Sequence, residues 1–146
     1  MFTTIQAFFD DRLDAAKQAG TSLPNPPITP EDMAALRAHV GAELPKGLVE
    51  FLQLTDGWED LNMGDVYDAT ILSSTDIIDR IEDIEDIEYE DEYDRIFPLM
   101  FVHEEDTALV LAVDGNKACV VEAHQSVLDE AEPFLELLCR YTSEDD

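Results

Sequence analysis

The sequence is poor in positive charge. Only 8 Lys and Arg stand against 35 Asp and Glu, a formal net charge of -27. Phosphate backbones and anionic bilayers are held by cationic side chains, so the balance argues against direct nucleic-acid or membrane binding. Cysteine is scarce too. Cys119 and Cys139 sit in apolar surroundings and form no close pair, which suits a reducing, cytoplasmic setting and argues against a disulfide scaffold. No apolar run is long enough to cross a bilayer. The N-terminal apolar run lacks a basic start and meets Asp10 and Asp11, so no secretory signal is expected.

The motifs of catalysis are missing as well. There is no Walker loop, Gly-x-Gly-x-x-Gly, Gly-x-Ser-x-Gly or His-Glu-x-x-His. His39, His103 and His124 are far apart and lack ligand spacing. Residues 79–94 contain no glycine and do not fit an EF-hand loop. Cys119 in an apolar run reads as a small core residue. Carboxylates are too numerous for a glycosidase-like pair to be inferred from them. The expectation is a protein with no metal or cofactor that is not an enzyme.

What is present is enough apolar material for a core. The 146 residues are 45% hydrophobic, above what acidic disordered chains carry. One domain of this length needs no disulfide or metal to fold.

Residues 1–19 read as a helix, from Phe2, Ile5, Phe8, Phe9 and Leu13, with Gly20 as its stop. The Pro-rich stretch 22–27 reads as extended. Thr29 is a good N-cap, Pro30 suits the first helical position, and Met33, Leu36 and Val40 line one face before Gly41. A third helix follows Leu44-Pro45, carries Leu48, Phe51 and Leu52 inward, and ends at Asp56-Gly57.

Val66 to Leu72 is β-prone. A helix is expected from about Asp76 to Asp86, with Ile77, Ile81 and Ile84 in one stripe and a bend near Ile87. Ile96 to Val102 reads as a strand that Pro98 consigns to an edge or a late start. Asp114-Gly115 between two apolar runs signals a hairpin. Phe134, Leu135, Leu138 and Tyr141 mark a closing helix. The pattern is α+β: N-terminal helices packed on a small, mostly antiparallel sheet with a closing C-terminal helix.

The stretch from Thr29 to Trp58 is more specific. It runs Thr29-Pro30-Glu31-Asp32-Met33, Leu36, Val40-Gly41, Leu44-Pro45, Val49-Glu50-Phe51-Leu52, then Asp56-Gly57-Trp58. This resembles the opening of the SUKH superfamily, which includes a yeast cell-wall-synthesis regulator and many bacterial immunity proteins. The resemblance covers roughly 28–141. It departs at His103-Glu104-Glu105-Asp106, where such proteins often carry glycines, and at the helix 1–19, which lies outside the shared pattern. It implies a non-enzymatic binding fold. The expected organisation is an N-terminal helix and connection over 1–27, a SUKH-like domain over 28–141, and an acidic tail over 142–146.

The functional candidate is the run 76–95, with eleven carboxylates and two arginines. One reading is a solvated helix face plus a polar loop. The other is an interaction surface. There Asp79, Glu82, Asp83 and Asp86 form one helical face that could occupy the basic cleft of a nuclease, with Tyr89, Tyr93 and Trp58 as apolar anchors. For Trp58, core packing beneath the Gly57 turn is the commoner fate of a tryptophan. Two functions are expected. The first is an immunity-type protein that neutralises a cognate, basic toxin domain. The second is an intracellular scaffold or regulatory adaptor on the same fold.

Overall fold

A computed structural model describes residues 2–64, 67–103, 106–125 and 127–142. Five α-helices and six strands follow in the order α1 (Ile5–Ala19), α2 (Pro30–Val40), α3 (Lys46–Leu54), β1 (Trp58–Asn62), β2 (Asp68–Ile71), α4 (Ser74–Asp79), β3 (Arg95–Val102), β4 (Thr107–Asp114), β5 (Lys117–His124), β6 (Val127–Ala131) and α5 (Phe134–Arg140). The fold is α+β. The strands form one antiparallel meander in sequence order, β1 to β6.

Local chemistry sets the helix ends. The Thr4 and Thr29 hydroxyls accept from the amides of Ala7 and Asp32, closing the first turns of α1 and α2. Both helices stop at a left-handed glycine, Gly20 at φ 71° and Gly41 at φ 70°. The Arg95 guanidinium donates to the Val40 carbonyl at 2.7 Å, placing positive charge at the C-terminal end of α2.

The helices cover one face of the sheet. Phe8, Leu36, Phe51, Trp58, Leu109, Leu111 and Phe134 share that core. α1 belongs to it through Ile5, Phe8 and Ala16. Strand β4 sends Leu109, Leu111 and Val113 into this layer and Val110 and Ala112 into a second, smaller cluster on the opposite face. Burial on both faces explains why β4 reads as an unbroken apolar run.

Four expectations are corrected. The helix placed over 76–86 is α4 alone, closing at Arg80 and followed by a 3-10 turn, Ile81–Ile84. The reason is topological. Ile77 packs into the helix-side core, whereas Ile84 and Ile87 pack into the opposite cluster. No straight helix serves both faces of a sheet, so the chain turns at Arg80 (φ -98°, ψ 26°). Ile81, placed in the apolar stripe, is 42% exposed. Pro98 lies in an interior strand between β2 and β4. It is tolerated there because β2 pairs only as far as Met100, and the register with β4 shifts between Pro98 and Met100. Finally, β1 and β6 extend the sheet at both ends where no strand was expected. The β-prone stretch from Val66 appears as β2 from Asp68; Val66 itself, Glu104, Glu105 and the tail from 143 lie outside the described residues.

Candidate functional site

The run 80–94 forms a strap across the second face of the sheet. Ile84 and Ile87 are its pins, seated on Ile96, Val110, Ala112, Val121 and Ala123. Arg80 fastens the entry: its guanidinium lies 5.0 Å from the centre of the Phe101 ring and its Nε donates to Asp83 at 2.7 Å. Asp94 fastens the exit, with its amide donating to the Val113 carbonyl at 2.7 Å and its carboxylate accepting from Gly115 at 2.9 Å. A two-sided clamp thus holds the segment while its charges point outward. Of the carboxylates over 76–95, all but Asp76 are exposed.

The expected site residues separate. Asp79 lies at the end of α4, Glu82 and Asp83 in the 3-10 turn, and Asp86 in the turn beyond it. All four are exposed on one continuous strap, but they are not one face of one helix, because the axis breaks at Arg80. Tyr89 and Tyr93 are half-buried and pack against the second cluster. Their spacing closes a turn in which the Tyr93 amide donates to the Tyr89 carbonyl at 2.8 Å. Burial pushes the Tyr93 phenol up to about 12, with the neighbouring Cys119 adding to the effect.

Trp58 is corrected as a contact residue. It has no exposed surface, its indole N–H donates to the Ser22 carbonyl at 3.1 Å, and its ring meets Phe9 edge-on at 5.7 Å. Its neighbours in the sequence are structural too. Asp56 accepts from the amide and hydroxyl of Ser74, holding the start of α4. Gly57 lets that junction close: a Cβ there would lie 2.7 Å from the Ser73 nitrogen.

The remaining reactive groups have local duties. His39 meets Phe97 edge-on at 5.6 Å. His103 bonds Thr70 at 2.8 Å and His124 bonds Thr107 at 2.6 Å. Burial raises the Cys119 thiol, the opposite of what activates a nucleophile. Glu122, buried on β5, receives Arg140 at 3.0 Å and the Tyr141 hydroxyl, while Arg140 also reaches Glu132 at 2.6 Å. Tyr141 is held above the ordinary phenol range by burial and then by the Glu122 bond. This network ties α5 to the sheet. Among the described residues no three His, Cys, Asp or Glu side chains are placed to hold a metal. Nor is any described helix long and apolar enough to cross a membrane.

The surface that sequence reasoning missed is β6. Val127, 68% exposed, and Leu128 line a groove of about 260 Å³ with Glu88–Glu92 of the strap. The signal was weak because Gln125 and Ser126 carry no glycine and the strand has no clean alternation.

No curated protein matches the chain. A family model described as the SMI1/KNR4 family (SUKH-1) matches residues 27–139, from the extended segment before α2 to the last turn of α5. The match takes in the capped α2, the Leu44-Pro45 step, the Asp56-Gly57-Trp58 junction and the whole six-stranded meander. With that span and this fold, the chain belongs to the SMI1/KNR4 family (SUKH-1).

Proposed function

We propose that the chain is an immunity-type binding protein that neutralises a cognate, basic toxin domain by covering its surface. The observation that carries this reading is the strap, a pinned segment whose exposed carboxylates face away from the sheet. A segment anchored at Arg80, Ile84, Ile87 and Asp94 needs little ordering on binding, which lowers the entropic cost of association. Family membership supports action through protein–protein contact. The net charge of -27 supports a basic partner, because complementary charge speeds encounter and fixes orientation. A nuclease domain, with a cleft built for phosphate, has the matching chemistry.

The test is capture of the adjacent gene's product, followed by stopped-flow association. With Asp79, Glu82, Asp83 and Asp86 all changed to Lys, the on-rate should fall by about tenfold or more at low salt. Raising salt should slow the wild-type protein more steeply than this variant, whose acidic charge is reduced and not abolished. A captured partner that is not basic, and whose on-rate ignores both changes, sinks the toxin-neutralising reading and favours a scaffold or adaptor.

A further inference from the structure

The two edges of the sheet are treated differently. At β1, the Ser22 hydroxyl donates to the Glu59 carbonyl at 2.5 Å and the Arg12 guanidinium donates to the Asn62 carbonyl at 3.0 Å, so α1 and the connection after it occupy that edge. At β6, no described strand pairs along the outer side, and every described residue of the strand except Leu128 is exposed. An unpaired edge offers a row of main-chain donors and acceptors to another extended chain.

Charge restricts what can pair there. The strand carries Asp129 and Glu130, and the groove beside it adds Glu88, Glu90, Asp91 and Glu92. Two copies pairing β6 to β6 would set these carboxylates against their own kind, each copy at -27. The same charges favour a cationic strand. The groove also has an apolar floor, Val127, Leu128 and Tyr89, so charge is not its only content. At its far end β6 reaches Ala131, which lines a second groove of about 610 Å³ with Ile5, Val120 and Phe134.

We propose that the outer edge of β6 is a strand-docking site for an extended segment of a protein partner in which basic and apolar side chains alternate. Main-chain pairing with β6 supplies the alignment. Alternate side chains then fall to opposite faces of the enlarged sheet, the basic set over Glu88–Glu92 and the apolar set toward the groove at Ala131. The inference rests on the toxin-neutralising reading for the partner's basic character, and it adds a second contact surface to the strap.

The test uses the full chain and a labelled nine-residue peptide of alternating Lys and Val. The control has the same composition with all Val before all Lys. Fluorescence anisotropy gives affinity and amide hydrogen exchange locates binding. The alternating peptide should bind at least tenfold tighter and slow exchange of β6 amides, and the E90K/D91K/E92K variant should lose that preference. Equal binding of the two peptides, or protection confined to residues outside β6, overturns the proposal. A basic partner that binds through the strap yet protects no β6 amide overturns it too, while leaving the toxin-neutralising reading intact. β6 protection by the peptide with no basic partner captured does the reverse.

Discussion

The break at Arg80 makes Ile77, Ile81 and Ile84 an informative set. On a continuous helix the three would share one buried stripe, and truncating each would cost similar amounts. In the structure Ile77 is 1% exposed in the helix-side core, Ile84 is 3% exposed in the cluster under the strap, and Ile81 is 42% exposed between them. Truncation of a buried Ile to Ala removes its transfer free energy and leaves a cavity, about 2–5 kcal/mol together. Ile77→Ala and Ile84→Ala should both fall in that range. Ile81→Ala should stay within about 0.5 kcal/mol of wild type. Because Ile77 and Ile84 belong to clusters on opposite faces of the sheet, their double substitution should be close to additive. Urea unfolding followed by circular dichroism and by emission of the buried Trp58 would measure the four variants against wild type. If Ile81→Ala destabilises as much as Ile84→Ala, the helix is continuous and the two-faced path of the strap is wrong.

Other consequences do not depend on the break at Arg80. Gly57→Ala should cost about 2–4 kcal/mol, since the residue sits at φ 98° and its Cβ would press on the Ser73 backbone. Gly20→Ala, at φ 71° with nothing within 4 Å, should cost only the backbone strain of about 1–2 kcal/mol, so denaturant midpoints of the pair separate crowding from strain. Trp58→Phe should cost about 1–3 kcal/mol by leaving the Ser22 carbonyl without its indole donor, with the loss read by thermal melting. Burial pushes the Tyr93 phenol up to about 12 from its ordinary value of 10.0, which the unfolded chain regains. Its contribution is therefore complete below pH 10.0 and lost as pH rises toward 12. Denaturant titrations across that window should show a decline that Tyr93→Phe makes shallower, and an unchanged slope would refute the assignment.

Where local chemistry fixes an element, residues alone suffice to place it. Thr29, Pro30 and Gly41 mark the ends of α2 because a hydroxyl cap, a ring-locked φ and a left-handed glycine each act within the turn of the helix they adjoin. Gly115, at φ 65°, opens the two-residue loop between Asp114 and Lys117 for the same reason. The Asp56-Gly57-Trp58 set was visible as a family signature, but its three separate duties were not. Each duty depends on a residue elsewhere in the sequence, Ser74, Ser73 or Ser22.

The acidic strap shows the same division. Its composition, its alternation of Ile with Asp and Glu, and its outward charge all follow from the sequence, because a period of three to four residues places apolar side chains on one side of any local helical path. The sequence also settled the deficit of positive charge and the family signature between Thr29 and Trp58. What it could not settle is which apolar surface each isoleucine meets. Periodicity records that a side chain is buried and not against what, so one stripe of isoleucines was equally compatible with a single core. Only the six-stranded sheet, with a cluster on each face, decided that the chain must turn at Arg80, and that no described strand pairs along the outer side of β6.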